Sequence, residues 1–336
     1  MFVHGTGVIS PAGWGIAPFR GALSCGIPLD KKPLPRPGIP EPLQVRAVPP
    51  PSPRPQFFAH PRLRRTSPIA QYVVASALEA LGPDAAKVSN GELSLGIVVC
   101  VMSACVNYSR RFYDEALKDP STASPLVFPE TVFNAPSSHL AAFLGSRAIN
   151  YTLVGDPATF VEGLALGAQW LVSKRVQACL VVGAEELDWL TAEAFHLFER
   201  DVVVADGAGA IYMRPEGANG VQLSAVTDPA LYTSGNGRTR AIKEVQKQIS
   251  NFDGGGLLCD SLKGIPALDR AEKEAWGNWP GPRLSPAKVL GEGMMAGAAW
   301  QCVAAVDAIA RGEHSSAIVS VAGTNQQAIA ARFSAS

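Results

Sequence analysis

The chain has 336 residues, with 29 Lys and Arg against 29 Asp and Glu, so its formal net charge is zero. Apolar residues make up 47% of it and charged residues 17%, which supports a large core and excludes a stapled miniprotein, a disordered chain and a fibrous repeat. Zero net charge gives no electrostatic case for nucleic acid. No apolar run approaches the ~18 residues of a membrane span, and no basic, apolar leader is seen, so a cytoplasmic protein with no membrane span is expected. Such neutrality gives little colloidal protection and predicts surface covered by another subunit.

Residues 1–10 read as an apolar strand running into the turn Ser10-Pro11-Ala12-Gly13. The stretch 28–61 holds 12 of the 27 prolines and is predicted to be an extended surface segment, because Pro removes backbone donors and resists helix. A helix is predicted over 67–81, with Ser67 as cap and Pro68 in the first turn. Leu95–Val101 follows as a strand apolar throughout, the pattern of a strand covered on both faces. The segment 103–135, rich in aromatic residues, reads as irregular. A helix over 137–145 and a strand over 150–154 come next, then an almost wholly apolar helix from Pro157 to about Val172, which must be central.

The strand 178–182 ends in Gly183-Ala184-Glu185-Glu186, and Asp206-Gly207-Ala208-Gly209-Ala210 leads into Ile211-Tyr212-Met213. An apolar helix over 294–310 then leads to a strand over 317–321 that ends at Gly323-Thr324-Asn325. Helix, short link, apolar strand and glycine turn thus occur twice, which predicts an α/β fold of two similar halves. The six Cys and five His form no CxxC or HxxxH pair, so neither a zinc site nor a disulfide framework is expected.

Five segments in order resemble the β-ketoacyl synthases of the thiolase-like superfamily. They are Thr6–Gly13, Phe133–Thr152, Val182–Glu185, Asp206–Ala210 and Gly323–Asn325. The resemblance covers nearly the whole chain and implies a layered αβαβα architecture, shortened relative to active ketosynthases. It places an N-terminal half at 1–216, which includes the Pro-rich segment, and a C-terminal half at 217–336, in one compact unit. Active members join acyl chains by decarboxylative condensation. A Cys at the head of the buried helix takes the acyl group, and two His polarise the malonyl thioester and steady the enolate.

Alignment on Asn150-Tyr151-Thr152 puts that nucleophile at Pro157, and no Cys occurs between Cys105 and Cys179. Asp156-Pro157 reads instead as a helix start, a carboxylate cap followed by Pro at the first position. The first family His falls on Ser234, within Ser234-Gly235-Asn236-Gly237-Arg238. The second falls on Glu292 or Met294, depending on whether alignment runs from Lys288 or Gly297. No His lies between His196 and His314. The glycine turn that gates the pocket in active members corresponds to Val321-Ala322-Gly323-Thr324-Asn325. Only 77 residues separate Pro157 from Ser234, a shorter interval than active synthases show, so surface elements and part of the pocket wall are expected to be missing.

Other candidates have plainer readings. His4-Gly5-Thr6-Gly7 spells the family's catalytic turn but sits on the first strand. Cys105 lies in an apolar context with no adjacent base and reads as packing. Asp206-Gly207-Ala208-Gly209 is too short for a phosphate loop. Arg62, Arg64 and Arg65 read as a solvated basic cluster.

The resemblance therefore implies a non-catalytic chain-length factor that heterodimerises with an active β-ketoacyl synthase and shapes its acyl tunnel, meeting the acyl carrier protein only indirectly. It implies no cofactor and no metal. Val106, Tyr108, Phe112, Phe128, Val132 and Phe133 match the family's region beside the dimer axis and tunnel. Two other readings stay open. One is an enzyme that hydrolyses or decarboxylates acyl thioesters with Glu292, Asp156 or Ser234, and the other is a homodimeric module that binds acyl groups or a carrier protein.

Overall fold

The run Leu95–Val101 is apolar at every position because both of its faces are covered: Val98 and Cys100 join one core, Ile97, Val99 and Val101 another. A computed structural model describes residues 1–217, 220–249, 256–324 and 326–336. Among these residues the long strands are β1 (Phe2–Ser10), β2 (Leu95–Val101), β3 (Asn150–Val154), β4 (Ala178–Glu185), β5 (Gly207–Arg214), β6 (Val221–Val226), β9 (Ser316–Ala322) and β10 (Gln327–Ala335), with short β7 (Leu257–Cys259) and β8 (Arg283–Leu284).

They follow one path, β8-β7-β9-β10-β6-β1-β5-β4-β2-β3. The first half of the chain builds β1-β5-β4-β2-β3, and the second builds β6-β10-β9-β7-β8. Each group has two antiparallel joins followed by two parallel ones, so the second half repeats the topology of the first. Among the described residues the two strand groups pair with each other through a short β1–β6 contact, Phe2 to Gln222 and Val3 to Val221.

Helices Thr159–Val172 and Met294–Ala310 contact strands of both groups and form the middle layer, within the largest core cluster. Helices Pro68–Leu81 and Ala135–Leu144 cover the outer face of the first group, and Gly235–Ile249 lies outside the second. The result is the αβαβα layering expected. Trp300 pins the middle layer by donating from Nε1 to the carbonyls of Ile9 (3.0 Å) and Ala208 (3.2 Å). The other middle helix sits on its strands only because it carries glycine where they touch. A Cβ at Gly163 would stand 2.7 Å from Cys100 Sγ, and one at Gly167 would stand 2.7 Å from Cys179 Sγ.

Two expectations need correction. The middle helix starts at Thr159, two residues after Pro157. Asp156 O accepts from Thr159 N (2.9 Å) and Pro157 O from Phe160 N (3.3 Å), so the chain enters through a tighter i to i+3 turn. The carboxylate still caps it, because Ala158 N donates to Asp156 Oδ1 at 3.1 Å. The segment 103–135 is not irregular throughout either: Val106–Lys118 is helical and none of its residues is fully buried. Charge pairs hold it, Arg111 to Glu115 (3.0 Å) and Arg110 to Asp188 (2.7 Å), so it shows no buried apolar stripe. The Pro-rich stretch forms a hairpin, Lys32–Arg36 with Ile39–Val45, and short 3₁₀ turns.

Buried carboxylates tie the strand ends of the first half. Glu185 accepts from Ser103 Oγ (2.6 Å), Ser103 N (3.1 Å) and Met102 N, and burial pushes its pKa up to about 7. Asp206 accepts from Val48 N (2.7 Å) and Tyr72 Oη (2.9 Å), and burial raises it to about 6. Folded-state values above the unfolded ones mean that the folded chain holds protons the unfolded chain releases. Stability from these groups is therefore full below about pH 4 and falls as pH rises towards 7. Thermal melting at pH 5.5 is expected roughly 3–6 °C above that at pH 8, with Glu185→Gln flattening the slope. A melting temperature that climbs between pH 5.5 and 8 would contradict this.

Candidate functional site

The parallel strands β3, β7 and β9 bring their carboxyl ends to one side of the middle layer, where open α/β sheets place their ligand sites. A cavity of about 320 Å³ lies there. Pro157, Glu292 and Met294 all line it, so the residues that the resemblance aligns with a nucleophile and, as alternatives, with a second His converge in one place. Val321, Ala322, Gly323 and Thr324 of the glycine turn line it too, whereas Asn325 lies outside the described residues.

Ser234 does not line the cavity. It is exposed at the start of helix Gly235–Ile249, where its Oγ accepts from Gly237 N at 3.2 Å. One turn further along, Arg238 reaches the cavity instead.

Glu292 is buried, and its charge is balanced. Oε1 accepts from Met294 N at 2.7 Å and Oε2 pairs with Lys263 Nζ. Burial alone would raise its pKa, but the Lys263 charge and hydrogen bond, the Met294 N–H and the nearby Arg238 charge together hold it below the ordinary glutamate value. A carboxylate held ionised this firmly is a weak proton acceptor. Asp156 does not line the cavity: it is buried beneath it, with Oδ2 against Gly323 and its pKa raised by burial.

Among the described residues no cysteine or histidine lines the cavity. Cys100, Cys105, Cys179, Cys259 and Cys302 are buried, and burial pushes their thiols up, Cys179 to about 12, so none is a thiolate near neutrality. His4 is exposed on β1, with Nε2 at 2.5 Å from Glu216 O. The one serine hydroxyl in the wall, Ser261, donates to Ser320 O (2.9 Å) and accepts from Ala322 N (3.2 Å) and Gln301 Nε2 (3.3 Å). Glu272 Oε1 accepts from Ser261 N (3.1 Å) and not from its Oγ, so among the described residues this hydroxyl has no hydrogen bond to a base and forms no nucleophile–base pair.

Val106, Tyr108 and Phe112 are half-buried on helix Val106–Lys118, while Phe128, Val132 and Phe133 are exposed. None lines the cavity. With Tyr113, Leu117 and Leu126 they give this region an exposed apolar surface. Edge strand β3 adds Tyr151 and Val154, and the helix that follows Phe133 is tied to it by Asn150 Nδ2 donating to Ser137 O at 3.0 Å. Arg62, Arg64 and Arg65 are exposed, and Asp206 stands immediately before strand β5.

Sequence reasoning missed Arg238, Lys263 and Gln301 as wall residues. Arg238 was in view only as the end of the Ser234 turn, and Lys263 follows a strand of three residues, too short to leave a periodic signal.

A model of the β-ketoacyl synthase N-terminal domain matches residues 49–221. The chain belongs to the β-ketoacyl synthase family. No curated protein is significantly similar to it in sequence. The fold of this family member is thiolase-like, and several solved ketosynthases share it. The ishigamide ketosynthase/chain length factor superposes with a TM-score of 0.77 at 16% identity, over 99% of this chain and 98% of that one. A ketosynthase in complex with its chain length factor from Xenorhabdus doucetiae gives 0.77 at 14%, over 100% and 98%. A β-ketoacyl synthase from Burkholderia phymatum gives 0.77 at 12%, over 99% and 98%. No helix among the described residues is long and apolar enough to cross a membrane.

Proposed function

We propose that this β-ketoacyl synthase family member is a non-catalytic chain-length factor that pairs with an active synthase and helps to wall its acyl tunnel, meeting the acyl carrier protein only through that partner. The observation that carries this reading is Pro157, a residue with no nucleophile, at the head of the middle helix in a cavity that no Cys or His lines among the described residues. The topology that positions a condensing site is kept while its reactive groups are absent. Two of the similar solved structures are described as containing a chain length factor, which supports the same reading.

The surface supports a partner. Edge strand β3 pairs only with β2 among the described residues, so its other edge offers unpaired backbone groups to a second strand. The aromatic region around Phe128 and Phe133 leads into the helix packed beside that edge, and we assign both to one interface. In this reading residues 1–216 and 217–336 form a single unit, each contributing one sheet group and one middle helix.

Co-expression with candidate active synthases should give a one-to-one complex whose product length changes with this chain. Phe133→Ala should lengthen the product and Tyr108→Trp should shorten it. Unchanged products from an intact complex would remove the tunnel role, and a self-associating chain that ignores every synthase would favour a homodimeric module.

A further inference from the structure

We propose that the cavity is a non-covalent binding site for a monocarboxylate with an aliphatic chain, its carboxylate held by Arg238. Neither Arg238 nor Lys263 stands at a position where the family resemblance places a catalytic group. The wall is apolar over much of its extent, with Phe195, Val202, Leu268, Met294 and Val321. Four charged side chains also face it: Glu199, Arg238, Lys263 and Glu292.

Lys263 and Glu292 pair with each other. Glu199 has only an exposed 3.4 Å contact from Asp201 N. Among the described residues Arg238 has no ion-pair partner within 4 Å, although the buried Glu292 and Glu272 feel its charge. Its Nη2 donates to Ala322 O at 3.4 Å, its buried Nε has no hydrogen-bond partner, and no carboxylate lies within 4 Å of it among the described residues. A guanidinium facing an apolar cavity with donors to spare lacks a planar acceptor. A carboxylate meets a guanidinium fork with two parallel bonds, and one unpaired cation suits a monoanion better than a doubly charged phosphate. The apolar wall then takes the aliphatic chain. Pro157 cannot attack the bound carbonyl carbon, so the ligand leaves unchanged.

This site stands on the isolated chain and holds whether or not the chain pairs with a synthase. Calorimetric titration of the full chain with decanoate, kept below its micelle concentration, should show one site. Methyl decanoate, which has the same chain and no charge, should bind roughly tenfold or more weakly. Arg238→Gln should weaken decanoate by a similar factor and leave the ester nearly unchanged. Gly297→Leu fills the cavity from its wall, where a Cβ meets only Glu292 Oε1 at 3.9 Å, and should abolish binding of both ligands while the melting temperature confirms a folded chain. No decanoate binding to the wild-type chain, equal affinity for acid and ester, or binding indifferent to Arg238→Gln and Gly297→Leu would each overturn the proposal.

Discussion

Replacing Lys263 by Met is expected to destabilise the fold by about 3–5 kcal/mol at pH 8, because it leaves the buried Glu292 carboxylate without its counter-charge. The double variant Lys263→Met/Glu292→Met should recover most of that loss, since it removes the stranded charge as well. In the wild-type chain the folded pKa of Glu292 lies below its unfolded value, so the pair's contribution is present above that unfolded value and lost only as pH falls through the folded one. In the single variant burial dominates and the sign reverses, so its deficit should shrink as pH falls from 8 to 5. Denaturant unfolding at the two pH values checks both statements. A Lys263→Met chain as stable as wild type at pH 8 would show that the pair does not hold the cavity wall.

The second large effect concerns the edge strand. In a co-purified complex with an active synthase, Val154→Arg should separate the two chains, because it places a charge in the centre of the proposed interface, on a strand whose outer edge must be dry to pair. Leu231→Arg is the matched control. Leu231 is 73% exposed, more than the 55% of Val154, and lies on a short strand paired with β10 in the other half. Size-exclusion chromatography should show the complex lost in the first variant and kept in the second. Equal retention in both would move the interface elsewhere.

Much of the fold was legible because its central elements are apolar all round. Helix Met294–Ala310 appears at the bounds its sequence suggested, since a segment with no polar face has one place to go. The helix Val106–Lys118 was hidden because exposed charge pairs stabilise it, and the chain enters it through Ala104 at a positive φ of 51°, with no side-chain hydrogen bond at the cap. The head of the middle helix was placed two residues early because Asp156 and Pro157 carry the chemistry of an α-helical start while forming a tighter turn.

Part of the site's composition was legible in the sequence. A Pro at one position and the lack of His from 197 to 313 are properties of sequence alone. The charged groups that line the cavity were not legible. Arg238 and Lys263 stand on separate elements, and only the second sheet group brings them to the cavity that holds Pro157 and Glu292. Ser234, which the resemblance aligns with a histidine, caps a helix outside the cavity. Identity at an aligned position did not carry location.

The most direct measurement is intact-protein mass spectrometry of the complex after incubation with an acyl thioester. The expected result is a one-to-one complex in which the synthase partner alone gains the acyl mass, with this chain unmodified. An acyl adduct on this chain would contradict the assignment of a subunit whose nucleophile has been replaced by Pro157.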